Sequence, residues 1–317
     1  MSAIIEIRDL TKRYGRLTAV DHLSLEVPAG GIFGFVGPNG AGKTSTMRIL
    51  TTLLKPTSGE AFVAGHSVTR RPREVRRVIG YMPDYFGVYD DMTVWEYLDF
   101  FAACYGVPEA QRTGLIGDLL ELVDLDHRRN DMVDSLSRGM KQRLCLARTL
   151  AHDPQVLILD EPASGLDPRA RLEIRDLLVE LARMGKTVFF STHILADVAQ
   201  ICTQVGIIEA GRLVAAGRLE EMQDRLMPHR KLTLVVLDQA DRASQLLMAA
   251  EGVRSVQPVG VQGAGRSTLE VEFAGSEEAV SSLLAYLVDR GLRLIHFGQE
   301  MRDMEEVFMR ATKGIVS

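Results

Sequence analysis

Apolar residues recur along the chain at two spacings, and the switching between them predicts its elements. Near the start, "HLSLEV" alternates apolar and polar positions, the period-two mark of a strand with one buried face. "GIFGFVG" is instead an unbroken apolar run closed by glycine, as a strand buried on both faces reads. Strands are therefore expected over residues 4–10, 23–27 and 31–36. Residues 44–54 have helical composition and stop at Pro56, and 95–123 is mostly helical with a break near Gly106 and Pro108. "PQVLILDEP" and "KTVFFSTHI" are short apolar runs of the buried parallel kind, preceded by helical stretches at 141–151 and 172–183. Strands alternating with helices predict an α/β domain on a largely parallel sheet.

The pattern changes after Gly217. Residues 220–230 are charged, contain Pro228 and suit a linker. Beyond them the spacing predicts strand 231–237, helix 242–250, strands 253–259 and 268–273, helix 277–290 and strand 292–297, with a last amphipathic helix over 304–311. That β-α-β-β-α-β order is the split βαβ, ferredoxin-like pattern. The expected organisation is a large domain over 1–219, a linker over 220–230 and a small α+β accessory domain over 231–317, for which dimerisation or stabilisation is the plain reading. "HFGQE" at 296–300 reads as polar loop or site alike.

Composition narrows the function. A net charge of -5 supplies no basic field, so nucleic acid is not an expected partner. No apolar run approaches the roughly 18 to 20 residues of a membrane-spanning helix. "MSAIIEIRDLTKRYG" carries charges where a signal peptide has its apolar core. Cys104, Cys145 and Cys202 are too few and too dispersed for a disulfide framework or a zinc site. These features predict a protein of the reducing cytoplasm.

The chemistry starts with "GPNGAGKT", residues 37–44, which fits G-x-x-x-x-G-K-[ST] between a buried strand and a helix. Gly37, Gly40 and Gly42 let the backbone of the loop, which also holds Pro38, Asn39 and Ala41, turn so that successive N–H groups face phosphate oxygens. Lys43 brings a cation to the β- and γ-phosphates, Thr44 offers a hydroxyl to Mg²⁺, and Ser45 continues a helix whose positive end faces the phosphates. In "VLILDEP", Asp160 ends a buried strand and can hold Mg²⁺ directly or through water. Glu161 beside it is a candidate general base for the attacking water. Two adjacent acids at a strand end commonly just face solvent; following a P-loop they read as a nucleotide site.

Just ahead of that strand stands "LSRGMKQRL", residues 136–144. With the P-loop and "LILDEP" it resembles the nucleotide-binding domain of an ABC (ATP-binding cassette) transporter, over residues 4–217. The resemblance implies a RecA-like core with an antiparallel β subdomain and a helical subdomain, ATP with Mg²⁺ as ligands, and ATP hydrolysis. It implies that Tyr14 in "LTKRYG" stacks on adenine, that "SGLD" at 164–167 is the D-loop, that His193 in "STHI" is the switch histidine, and that "EAGRLVAAG" at 209–217 is the closing hairpin. It further implies that Ser137 and Gly139 complete the ATP site of a second subunit, so that two chains, identical or paired, sandwich ATP head to tail. A separate integral membrane permease would be the partner, with this chain peripheral on the inner face of the membrane.

Three positions depart from the family pattern. Arg138 replaces the first glycine of the signature and Met140 its glutamine, which predicts a charge near the nucleotide or its rim. In "MPDYFGVYDDMTVWEY", Asp84 stands where the family's Q-loop glutamine touches Mg²⁺ and the attacking water, and is expected to reach Mg²⁺ through water. Tyr85, Phe86, Val88, Tyr89 and Trp95 are candidates for the groove that receives a permease helix. The aspartates near Asp90 lack the ligand spacing of a calcium loop. A single cassette with "SGLDP" and a C-terminal domain is similar to multidrug and antibiotic-resistance exporters. Importers of sugars carry β-barrel regulatory domains, translation-associated relatives carry two cassettes, and DNA-repair relatives carry long coiled-coil or zinc insertions; none of these matches the pattern.

Overall fold

A computed structural model describes residues 3–85, 87, 91–226, 229–237, 240–262, 266–299, 306, 308–309 and 312. The chain divides into two compact units, one built on Met1–Leu219 and the other on Glu220–Arg310.

The first unit opens with two long strands, β1 (Ala3–Tyr14) and β2 (Leu17–Pro28), paired antiparallel with Ile5 opposite Val27 and Leu10 opposite Leu23. Both outrun the stretches predicted from alternation, because bulges interrupt the period. Asp9 and His22 have left-handed backbones (φ 49° and 53°), the register shifts between Ile7 and Leu10, and the His22 imidazole bonds the Asp9 carboxylate at 2.7 Å. β3 (Gly31–Val36) coincides with its predicted range and leads through the glycine-rich loop into α1 (Lys43–Leu50). β4 (Ser58–Val63), β5 (His66–Ser67) and α2 (Pro72–Val78) follow, then β6 (Ile79–Met82).

The expected helical stretch divides into α3 (Val94–Cys104), started by a capping box between Thr93 and Glu96, and α4 (Glu109–Leu122), with α5 (Arg138–Leu150) after two short 3₁₀ turns. Arg148 of α5 donates to the buried Tyr97 hydroxyl of α3 at 2.9 Å, tying these helices together. The chain continues through β7 (Val156–Asp160), α6 (Pro168–Arg183), β8 (Thr187–Thr192), α7 (Leu195–Ile201), β9 (Gln204–Glu209) and β10 (Arg212–Arg218).

Two sheets result. One is antiparallel, in the order β2-β1-β4-β5; the other runs β10-β9-β3-β8-β7-β6, parallel except for the β9–β10 hairpin. A single apolar cluster joins them, with Ile5, Leu23 and Val63 from the first sheet and Phe33, Ile158 and Phe189 from the second. Phe189 lies 5.5 Å from the Phe33 ring and 5.4 Å from that of Phe35, so aromatic contact fills the layer under the parallel strands. The parallel sheet directs the carboxyl ends of β3, β7 and β8 to one edge, the edge at which open α/β sheets bind ligands.

In the second unit, the stretch expected to be a linker instead begins with a helix, α8 (Leu219–Leu226). Its leucines and methionine recur at helical spacing, with Leu219 and Met222 buried. The unit goes on with β11 (Arg230–Leu237), α9 (Ala240–Met248), β12 (Val253–Gln262), β13 (Arg266–Phe273), α10 (Glu277–Asp289) and β14 (Leu294–Gln299). The sheet order is β12-β13-β11-β14, every neighbouring pair antiparallel. Leu232, Leu234 and Val236 alternate inward with Leu269, Val271 and Phe273, and pack on Ala243 and Leu247 of α9 and Leu283 and Leu287 of α10. Residues 296–299 of "HFGQE" belong to β14, so they are strand rather than loop. The helix expected over 304–311 lies mostly outside the described residues.

Candidate active site

The glycine-rich loop owes its course to what it passes. Gly40 and Gly42 have left-handed backbones (φ 83° and 102°). A Cβ on Gly42 would stand 2.3 Å from the Ala19 carbonyl oxygen, and one on Gly37 would stand 2.3 Å from that of Ile208. No side chain fits either place. Pro38 and Ala41 close the loop by a backbone bond of 3.2 Å, leaving Asn39 and Gly40 exposed at its tip.

Lys43 follows as the first residue of α1 and is only 6% exposed. Its ammonium donates to the carbonyl oxygens of Gly37 (2.6 Å) and Pro38 (3.3 Å) and lies 3.5 Å from Glu161 Oε1. Thr44 donates its hydroxyl to Asp160 Oδ1 at 3.3 Å. Ser45 and Tyr14 approach through their hydroxyls at 3.4 Å, with the Lys12 ammonium 5.2 Å from the Tyr14 ring centre. Tyr14 is thus half-exposed beside the loop, with the Lys12 ammonium over its ring.

Asp160 ends β7 and is 1% exposed. The next strand supplies its partner: Ser191, in register with it on β8, donates to Asp160 Oδ1 at 2.6 Å and accepts from the Glu161 amide at 3.0 Å. Ser191 was not foreseen as a site residue; its position one strand over, beside "TH" at the same sheet edge, is the signal that marks it. Glu161 itself is left-handed (φ 51°), a strained conformation for a residue with a side chain. That turn aims its carboxylate between an ammonium and an imidazole, Oε1 toward Lys43 and Oε2 bonded to His193 Nδ1 at 2.9 Å. The predicted residues Lys43, Thr44, Asp160, Glu161 and His193 thus meet at one edge.

Asp84 belongs to the same electrostatic neighbourhood. Its carboxyl is pushed above the usual carboxylate range by desolvation first, then by the charges of Asp160 and Glu161, while Arg138 and His193 pull the other way. Tyr85 is 89% exposed, and Trp95 stacks under the Arg129 guanidinium at 5.3 Å. Phe86, Val88, Tyr89 and Asp90 lie outside the described residues.

Ser137 caps α5, accepting from the Met140 amide at 3.3 Å, and Gly139 lets α5 close on Ala170 of α6, where a Cβ would be 3.0 Å from the Ala170 methyl. With residues 165–167 they line a hollow of about 290 Å³ whose lining includes none of residues 37–45. Asp167 caps α6 through bonds of 3.0 Å to the Arg169 and Ala170 amides. Arg138, expected to carry charge near the nucleotide or its rim, donates through Nη2 to the Ser164 carbonyl at 3.2 Å.

A loop of backbone donors with a buried cation, an acid–hydroxyl pair and a carboxylate held between lysine and histidine form a site for phosphoryl transfer to water. The family model for the ABC transporter matches residues 20–164. Nod factor export ATP-binding protein I of Cupriavidus metallidurans is 40% identical over 224 residues, 71% of this chain and 74% of that protein. Bacitracin transport ATP-binding protein BcrA of Bacillus licheniformis is 42% identical over 226 residues, 71% and 73% of the respective chains. Among solved structures, an ATP-binding subunit of an ABC transporter superposes with a TM-score of 0.64 at 29% identity, over 70% of this chain and 92% of that one. A dimeric post-hydrolysis ATP-binding cassette bound to ADP and Pi shares the fold at 24% identity, with a TM-score of 0.62 over 68% of this chain and 98% of that one. Sequence, fold and site converge: this chain belongs to the ABC transporter family, as an ATP-binding, ATP-hydrolysing subunit that powers a membrane transporter.

Proposed function

We propose that this chain drives export through a separate membrane permease, binding ATP as a head-to-tail pair of subunits at the cytoplasmic face of the membrane. The observation that carries the chemical part is the Lys43–Glu161–His193 line, in which one carboxylate reaches the ammonium through one oxygen and the imidazole through the other. A relative named for Nod factor export supports the outward direction, and one named for bacitracin transport supports a transport role. Among the described residues no helix is long and apolar enough to cross a membrane.

In the mechanism, the backbone N–H groups of the glycine-rich loop and the start of α1 hold the phosphates, and Tyr14 stacks on the adenine. Lys43 exchanges its carbonyl partners for β- and γ-phosphate oxygens. Glu161 accepts the proton of a water attacking the γ-phosphorus. With Nδ1 occupied by that carboxylate, His193 presents Nε2 to a γ-phosphate oxygen. Ser137 and Gly139 act at the nucleotide of the paired subunit. Thr44 and Asp160 present hard oxygen donors already within hydrogen-bond distance of each other, the donor set Mg²⁺ takes beside phosphate oxygens, so these residues fit the ion. When bound there, Mg²⁺ supplies charge neutralisation of the β- and γ-phosphates. Asp84 is the outer member of this set.

The second unit we read as ferredoxin-like, on the strength of its four antiparallel strands in the order β12-β13-β11-β14 under two helices. The domain limits proposed are those of the sequence reading, with α8 taking the place of a flexible linker.

The pairing is tested by size-exclusion chromatography of Glu161→Gln with MgATP: the expected result is a shift to twice the monomer mass, and a monomer under saturating ATP overturns the sandwich. Asp84→Gln tests the Mg²⁺ assignment. Exchanging a carboxylate for a neutral amide is expected to raise the Mg²⁺ concentration for half-maximal ATPase activity about 10- to 100-fold, the scale on which an outer-shell partner sets metal affinity. An unchanged Mg²⁺ dependence removes Asp84 from the metal set.

A further inference from the structure

We propose that Arg138 and Gln142 of α5 are positioning residues that clamp the turn at residues 161–165 and so hold Glu161 in its strained, reactive setting. The proposal rests on Glu161 as the general base. A non-glycine residue persists at φ 51° only where its surroundings over-determine it. Ser191 fixes the amide side of Glu161. On the carbonyl side, the Ser164 amide donates to the Glu161 oxygen at 3.1 Å, closing a tight turn.

That turn is gripped twice by α5. Buried Gln142 donates through Nε2 to the Pro162 carbonyl, and Arg138 donates through Nη2 to the Ser164 carbonyl at 3.2 Å. The guanidinium also lies flat against Gly165. A Cβ there would stand 2.5 Å from Cζ and from both terminal nitrogens, and Gly165 is left-handed at φ 67°. Glycine at 165 serves the turn through its left-handed backbone, and the exposed Arg138 side chain lies over it. An arginine as first residue of a helix sits at the positive end of the helix dipole, an unfavourable place for a cation. A carbonyl oxygen of the turn compensates it. The path from the signature helix to the base is short: Arg138 to the Ser164 peptide unit, and the Ser164 amide to Glu161.

The experiment compares Arg138→Ala, Arg138→Lys, Gln142→Ala and Arg138→Ala/Gln142→Ala, each checked for folding by thermal melting. Steady-state ATPase and equilibrium binding of a fluorescent ATP analogue to the isolated subunit are measured for each. Loss of a charge-assisted bond to the turn is expected to lower kcat about three- to tenfold with nucleotide affinity unchanged. Arg138→Lys should recover part of it, and the double variant should fall by less than the product of the single losses. In a Glu161→Gln background, Arg138→Ala is expected to lower the residual single-turnover rate no further. A further fall there, a weakened ATP-induced dimer, or a change confined to KM assigns Arg138 to the nucleotide and overturns the clamp. Retained activity in Glu161→Gln alone is the separate result that sinks the base assignment.

Discussion

Glu161→Gln is expected to lower steady-state ATP hydrolysis by about two to four orders of magnitude while ATP remains bound, the range in which a positioned general base contributes. Glutamine matches the carboxylate in volume, so the turn at 161–165 and the bond from Ser191 to the backbone survive. What is lost is the ability to accept a proton from water. The substitution also removes the negative partner 3.5 Å from Lys43, leaving that ammonium freer to engage phosphate. Binding should therefore hold or tighten as turnover collapses. Phosphate release measured beside equilibrium nucleotide binding checks both halves. A fall of less than tenfold would shift the proton acceptor elsewhere, and Asp84, whose carboxyl already feels Asp160 and Glu161, would be the next group to test.

Lys43→Met carries the second large effect, with the opposite signature. Methionine fills much of the space of the lysine stem, which matters at a position only 6% exposed, but offers no charge. A charge-assisted hydrogen bond to phosphate is worth about 2–3 kcal/mol, so ATP should bind about 30- to 150-fold more weakly. The variant also leaves Glu161 with the His193 imidazole as its remaining side-chain partner at the site. Calorimetric or fluorescence titration with ATP and with AMP separates the terms: ATP affinity should fall, while AMP, lacking the β- and γ-phosphates, should bind as before. Equal ATP affinity in wild type and variant would mean that the lysine stays with the loop carbonyls when nucleotide enters.

How much of this was legible in the sequence follows from how local each feature is. The glycine-rich loop and "LILDEP" are contiguous, and their residues reach one edge simply because each ends or follows a buried parallel strand. The second unit was legible for a similar reason: Leu232, Leu234 and Val236 alternate cleanly, as do Leu269, Val271 and Phe273. β4, β5, α2 and α7 escaped because they are short and mixed in polarity, and gain their conformation from neighbouring elements. Asp9 and His22 broke the alternation of β1 and β2 by pairing with each other across a bulge. Ser191, marked in the sequence only by its place beside "TH" at a strand end, and the partner of Arg138 both needed the tertiary structure. One depends on strand register, and the other on where a helix N-terminus meets a turn many residues later in the chain.

The close approaches of the glycine-rich loop carry a consequence for how the protein is made. Gly42 passes over the Ala19 carbonyl of β2, Gly37 over the Ile208 carbonyl of β9, and the Gly211 amide donates to the Ala41 oxygen at 3.0 Å. The loop is moulded between strands that leave the ribosome at opposite ends of the unit. A nascent chain therefore owns its entire phosphate-binding motif by Thr44 but lacks one wall of the mould until β9 and the turn at Gly211 have emerged. Nucleotide capture is therefore expected only once β9 and the turn at Gly211 have joined the loop, a timing that ATP-analogue binding to stalled nascent chains of increasing length would check.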